Sequence, residues 1–83
     1  MEIEKIKAII EAILFSAGRI VTQEELILAL ELNKEQIGPI IKQMQEEYKN
    51  RGIELIKVEN GYQLCSKKEY YEYIYPIFDK RAK

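Results

Sequence analysis

The sequence predicts an α+β fold that is mainly α: a winged helix-turn-helix with three helices, a β-hairpin wing and a C-terminal helix. Three observations lead to this prediction. Apolar residues recur at helical spacing in two long segments, residues 3–17 and 33–50. Two short β-prone runs, residues 53–58 and 62–65, have an Asn-Gly pair between them, which favours a tight hairpin turn. An aromatic-rich segment with helical spacing follows the hairpin.

The first two helices have clear boundary signals. Apolar side chains occupy one wide arc over residues 3–17, and Gly18 suits a left-handed residue at the end of that helix. Residues 19–21 are expected to form a short extended link. Thr22 and Glu25 have the spacing of a capping box, in which each side chain accepts a hydrogen bond from a free backbone N–H. A second helix is therefore predicted over residues 23–30.

The third helix is predicted to begin after Asn33, a good N-cap residue, and to run to about Asn50, with Gly52 stopping it. Pro39 lies well inside this helix, where it removes a backbone hydrogen bond and crowds the preceding turn. We therefore expect a kink or a separate opening turn near Gly38-Pro39.

The predicted hairpin turn is centred on Asn60 and Gly61, because both residues tolerate positive φ. Residues 66–69 have the Ser-x-x-Glu spacing of another capping box. A last helix is therefore expected from Lys67 to about Tyr75, with Pro76 disturbing its end.

A chain of 83 residues with 47% apolar and 33% charged residues can build one modest core. We expect Ile13, Leu26, Ile40 and Met44 to be buried and Leu64 to cover them from the hairpin.

The formal net charge of −1 argues against an extended nucleic-acid-binding surface, which normally carries clustered Lys and Arg. No apolar run is long enough for a membrane span. The single cysteine, Cys65, has a strand-like setting and is interpreted as a small packing residue. We expect a cytoplasmic protein with no membrane association.

Catalysis usually requires two or three titratable groups held together, but the chain has no histidine, one cysteine and scattered carboxylates. Structural zinc and calcium sites need ligand clusters that the sequence lacks, and its four glycines form no phosphate-binding loop. We therefore expect no enzyme activity, no metal and no cofactor.

The alternative function is that of a helix-turn-helix DNA-binding transcription regulator, whose third helix would read the major groove. The charges on that helix are balanced. Its lysines and glutamates are Lys34, Lys42, Lys49, Glu35, Glu46 and Glu47. Near the hairpin tip, Glu59 offsets Lys57. We therefore expect no specific nucleic-acid partner.

Two helices have more apolar surface than a single small core explains. The first helix carries Ala8, Ala12 and Phe15 opposite its main apolar arc, and the last carries Tyr71, Tyr75 and Phe78 beside its own. One interpretation is that these two stripes pack on each other within the monomer. The other is that they form a partner interface, because aromatic side chains are enriched at interfaces and extended apolar patches are uncommon on monomers.

Two segments resemble a known family. The run Ile-Glu-Ala-Ile-Leu-Phe-Ser-Ala-Gly at residues 10–18, followed by Val21-Thr22 and Glu25-Leu26, resembles the opening of segregation and condensation protein B. Residues 61–64, Gly-Tyr-Gln-Leu, and residues 66–70, Ser-Lys-Lys-Glu-Tyr, are similar to the wing of that family and the helix after it. Together the matches span nearly the whole chain.

The resemblance implies a non-enzymatic subunit of the bacterial SMC (structural maintenance of chromosomes) condensin-like complex. Such a subunit binds the kleisin that bridges the SMC ATPase heads, forms homodimers through its amino-terminal domain, and acts in chromosome condensation, partition and cell division. Family members have a second winged-helix domain, so residues 1–83 are expected to be the amino-terminal domain of a longer protein.

Overall fold

The computed structural model describes residues 1–78. In chain order the elements are α1 (Ile3–Ala17), β1 (Val21–Thr22), α2 (Gln23–Leu30), α3 (Lys34–Glu47), β2 (Ile53–Val58), β3 (Gly61–Ser66), a 3₁₀ turn (Lys68–Tyr70) and α4 (Tyr71–Phe78). This order confirms the predicted arrangement of three helices, a hairpin and a last helix. The strands form an antiparallel sheet in the order β1-β3-β2.

Local signals set the end of α1 and the starts of α2 and α3 as predicted. Gly18 ends α1 with φ 61°, in the left-handed region. Thr22 and Glu25 form the reciprocal capping box at the start of α2. Asn33 caps α3 as expected, and Gln36 completes a second capping box with it, which was not predicted.

The third helix differs from the prediction at two points. It is one continuous α-helix from Lys34 to Glu47, so Pro39 does not separate an opening turn from the rest. It also ends three residues before Asn50, and the chain turns through a backbone hydrogen bond from Arg51 N–H to the Tyr48 carbonyl.

The hairpin turn lies one residue earlier than predicted. Val58 pairs with Gly61, so the two turn residues are Glu59 and Asn60, and Glu59 has φ 52°. Gly61 serves a different purpose. A Cβ there would lie 2.6 Å from Ile20 Cγ2 and 2.7 Å from the Val21 carbonyl oxygen, so glycine lets β1 pack against β3.

The start of the last helix was predicted wrongly. Ser66 remains in β3, opposite Ile53, and forms no capping box with Glu69. A 3₁₀ turn opens at Lys68, α4 follows from Tyr71, and the helix includes Pro76 and extends to Phe78. Pairing with the neighbouring strand therefore overrode the local capping signal.

The core lies between α1, α2, α3 and the inner face of the hairpin. Leu26, Ile40 and Met44 are buried as expected, whereas Ile13 and Leu64 are half-buried and pack against the core from outside. The buried apolar side chains are Ile6, Ile10, Leu14, Val21, Leu26, Leu30, Ile37, Ile40, Ile41, Met44, Leu55 and Tyr62. Cys65 is a half-buried free thiol.

The capping box of α2 is extended by an ion pair that gives the fold an acid-sensitive contact. Arg19 Nη2 lies 3.0 Å from Glu25 Oε2, and the backbone N–H of Thr22 donates to Glu25 Oε1 at 2.9 Å. The hydrogen bond from Arg19, followed by that from the Thr22 backbone, lowers the pKa of Glu25 to about 2.

We expect Glu25→Gln to make stability less sensitive to acid. A lowered pKa in the folded state stabilises the fold above the unfolded pKa of about 4.3, and this contribution is lost as the pH falls towards 2. Gln still accepts the capping hydrogen bond but cannot form the ion pair. Melting temperatures between pH 7 and pH 2 measure the effect, with Glu24→Gln as a control in the same helical turn. Identical acid sensitivity in Glu25→Gln and the parent would contradict it.

Candidate functional site

The helix α4 exposes most of its apolar surface. Tyr75 is 54% exposed and Phe78 is 78% exposed, whereas Tyr71 is half-buried. The rings of Tyr71 and Tyr75 lie 5.6 Å apart at an angle of 42°. Positions 71, 75 and 78 fall on one side of the helix, so these three aromatic residues form a single face. We call them the α4 aromatic face.

The segment that leads into α4 is held against the end of α3. The ammonium group of Lys67 donates to the carbonyl oxygens of Tyr48 at 2.8 Å and Lys49 at 2.7 Å, just past the end of α3. The backbone N–H of Lys67 also donates to the Gly52 carbonyl at 2.9 Å. Cationic donors at a helix C-terminus stabilise its free carbonyl groups. Lys67 therefore joins the last helix to the third.

The second predicted stripe also faces outward. Phe15 is 81% exposed, and both Ala8 and Ala12 are exposed. With Ile53 and Leu64 from the hairpin, these residues line a shallow, mainly apolar depression that also includes Glu11. We call its apolar residues the α1 hairpin patch. Ile53 and Leu64 could not be recognised from the sequence as part of it, because only the packing of the hairpin against α1 brings them to Phe15.

The two stripes do not cover each other within the described residues. The exposure of Phe15 and Phe78 excludes close packing between them in the monomer. The interpretation that the stripes pack on each other is therefore wrong for this structure. Both remain open surfaces of a kind that is uncommon on monomers.

A polar contact joins α1 to α3 beside the α1 hairpin patch. Lys7 is 8% exposed, and its ammonium group donates to Glu47 and, at 3.2 Å, to Glu4. The hydrogen bond to Glu47 raises the pKa of Lys7. Tyr48 donates to Glu11, and burial together with this carboxylate raises the pKa of the Tyr48 hydroxyl. Since each group has a protein partner, the cluster holds the two helices together.

A third open feature lies between α3 and the wing. Gly38, Pro39 and Lys42 of α3 face Lys57 and Tyr62 of the hairpin across a groove. Ile41 and Gln45 complete its lining. We call it the α3–wing groove.

Residues 1–78 show neither a metal-ion site nor a membrane span. No group of three or more His, Cys, Asp or Glu side chains in this range is arranged to hold a metal ion. No helix among these residues has the length and hydropathy needed to cross a membrane.

Comparison with known proteins gives a consistent result. A family model described as segregation and condensation complex subunit ScpB matches residues 8–83. Segregation and condensation protein B of Clostridioides difficile (strain 630) is 41% identical over 87 residues, covering 100% of this chain and 49% of that protein. The protein of the same name from Bacillus subtilis (strain 168) is 33% identical over 86 residues, covering 100% of this chain and 44% of that protein.

A solved structure is similar as well. The crystal structure of a dimer of the ScpB N-terminal domain complexed with ScpA peptide superposes with a TM-score of 0.84 at 27% identity, covering 90% of this chain and 96% of that one. This structural similarity confirms the winged-helix fold predicted from the sequence. The chain spans about half the length of the curated relatives it matches.

Proposed function

Because this chain belongs to the family of segregation and condensation complex subunit ScpB, we propose that it is a dimerising, kleisin-binding subunit of a bacterial SMC condensin-like complex. In this role it is an adaptor without enzyme activity that acts in chromosome condensation and segregation in the cytoplasm. Residues 1–83 are the amino-terminal winged-helix domain of a two-domain protein in this proposal.

The observation that carries the proposal is the exposed apolar surface on α4 and α1. A domain this small exposes Phe15, Tyr75 and Phe78 by more than half of their surface. Large apolar side chains grouped on a surface favour association, because covering them removes apolar area from water. The similar ScpB N-terminal domain is a dimer bound to an ScpA peptide, which supports two kinds of partner for this fold.

The proposed dimer interface consists of the α4 aromatic face and the α1 hairpin patch. The predicted residues are Tyr71, Tyr75, Phe78, Ala8, Ala12 and Phe15. Ala8 and Ala12 present only methyl groups, so an aromatic ring from another protomer can approach the helix closely. In a two-fold dimer, α4 of one protomer lies on α1 of its partner, and the reverse contact is equivalent.

The competing function, a transcription regulator, receives less support from the charges of the described residues. Lys49 lies 4.0 Å from Glu46 on α3, and Lys7 is held by Glu4 and Glu47 between the helices. The helix that would enter a DNA groove, α3, carries three glutamates. Their carboxylates would repel the phosphates.

Isothermal titration of the 83-residue chain with ScpA of the same organism tests the proposed function. Saturable binding at micromolar concentrations is expected, since this is an ordinary range for a peptide-sized interface. In parallel, selection from random duplex DNA is expected to recover no consensus site of about 10⁻⁸–10⁻¹¹ M affinity. A recovered consensus together with no ScpA binding would favour the transcription regulator and contradict the proposal.

A further inference from the structure

The α3–wing groove has an apolar floor and a basic rim. Tyr62 and Ile41 are almost fully buried and form its floor, and Pro39 lies exposed along one side. Lys42 on α3 and Lys57 on β2 are exposed at opposite walls. A ligand in the groove would therefore meet apolar surface below and an ammonium group on each side.

Neither rim lysine has an acidic partner among residues 1–78. Ion pairs in this part of the chain involve Lys7, Arg19 and Lys49 as the cations. Lys42 and Lys57 are thus available to pair with carboxylates from another molecule. Their position on both sides of an apolar floor favours an acidic ligand that also has an apolar side chain.

The strand beside the groove also has backbone groups free to pair. β2 is an edge strand, and hydrogen-bonded and non-hydrogen-bonded pairs alternate along its ladder with β3. Gln45 donates to the Leu55 carbonyl at 3.1 Å from outside the ladder, so the carbonyl of Leu55 faces the free edge. Lys57 lies two residues further along and has the same orientation. Its backbone N–H and carbonyl therefore face the free edge of the sheet, where an extended peptide could pair with them.

Gly38 keeps the helical wall of the groove open. Glycine weakens a helix interior, and here no positive φ requires it. No atom lies within 4 Å of where a Cβ at residue 38 would be, so packing inside the domain does not require glycine either. Removing a side chain from this wall widens the groove next to Pro39.

We propose that the α3–wing groove binds an extended, acidic peptide segment that inserts an apolar side chain between Lys42 and Lys57. This inference rests on the proposed function, because the segment is assigned to the kleisin partner. A peptide fits better than nucleic acid, since the floor is apolar and only two cations line the rim. Neutralising a run of phosphates normally requires more.

Two groove variants test the assignment, each titrated with full-length ScpA of the same organism by calorimetry. Lys42→Glu/Lys57→Glu reverses the rim charges, and Gly38→Leu fills the groove without changing charge. The matched control, Lys49→Glu/Lys68→Glu, makes the same charge change near the C-terminal end of α3. Circular dichroism and sedimentation verify that each variant keeps the fold and oligomeric state of the parent.

Both groove variants are expected to weaken ScpA binding about tenfold or more, whereas the control stays within about twofold of the parent. If the groove variants bind ScpA as the parent does, the groove assignment is overturned and the proposed function stands. If the parent itself does not bind ScpA, the proposed function fails and the assignment fails with it. A duplex DNA that binds the parent but not Lys42→Glu/Lys57→Glu, with ScpA binding unaffected, would assign the groove to nucleic acid instead.

Discussion

Replacing Leu26 by Ala is expected to lower the free energy of unfolding by about 2–5 kcal/mol. Leu26 is fully buried in α2, at the centre of the cluster formed by the three helices and the hairpin. Truncation removes apolar contacts and leaves a cavity that the surrounding helices can fill only in part. For a domain of this size, a loss in that range is a large share of the total stability.

The same helix supplies a matched control. Leu28 lies two residues away and is 80% exposed, so Leu28→Ala makes the same chemical change without opening a cavity. Its effect on unfolding is expected to stay within about 0.5 kcal/mol. Urea unfolding followed by circular dichroism compares the two variants at one fixed protein concentration, because self-association makes apparent stability depend on concentration. Equal denaturation midpoints for Leu26→Ala and Leu28→Ala would show that the core is placed wrongly.

Sequence signals that act locally were sufficient to predict where the first three helices begin. Helical periodicity gave the bounds of α1, and the box of Thr22 with Glu25 gave the start of α2. These signals depend on residues within one or two helical turns, so the rest of the fold hardly affects them. Asn33 and Gln36 show the same kind of local control at α3.

The errors arise where a distant segment decides the local structure. Gly61 was predicted to be a turn residue. Instead it lies against β1, a strand of only two residues, and only glycine allows the two strands to approach so closely. The turn therefore moved to Glu59 and Asn60. Ser66 offered a capping signal, yet pairing with Ile53 kept it in the sheet. A strand as short as β1 has too few residues to show a periodic pattern, so its effect could not be foreseen.

The candidate site could be predicted only in part, because some of its residues come together only in the folded chain. The excess of aromatic residues on the last helix is visible in the sequence and led to Tyr71, Tyr75 and Phe78. The α3–wing groove was not predicted, because Lys42 and Lys57 are fifteen residues apart and face each other only after the hairpin packs beside α3. The unusual Gly38-Pro39 pair inside a helix marks one wall of this groove, but only the tertiary structure shows what that wall faces.

Tyr75→Glu is expected to raise the dissociation constant of the proposed homodimer about 100-fold or more while the fold survives. Tyr75 is more than half exposed, so the monomer loses little when it is replaced. In a two-fold dimer the substitution places a carboxylate in both copies of the interface, against apolar surface that cannot satisfy it.

A control lies on the opposite side of the same helix. Tyr73 is 68% exposed and falls about 160° away from Tyr75 around α4. Tyr73→Glu introduces the same charge outside the α4 aromatic face, so it should leave dimerisation nearly unchanged. Sedimentation velocity measures both variants, with circular dichroism to establish folding. Equal weakening by the two substitutions would mean that the α4 aromatic face is not the contact surface.

The proposed function requires the unmodified chain to self-associate, and sedimentation equilibrium over a concentration series measures this directly. The proposed function predicts a mass that rises from the 9.8 kDa of one chain towards twice that value as concentration increases through the micromolar range. A single species of 9.8 kDa at high micromolar concentration would contradict dimerisation by this domain.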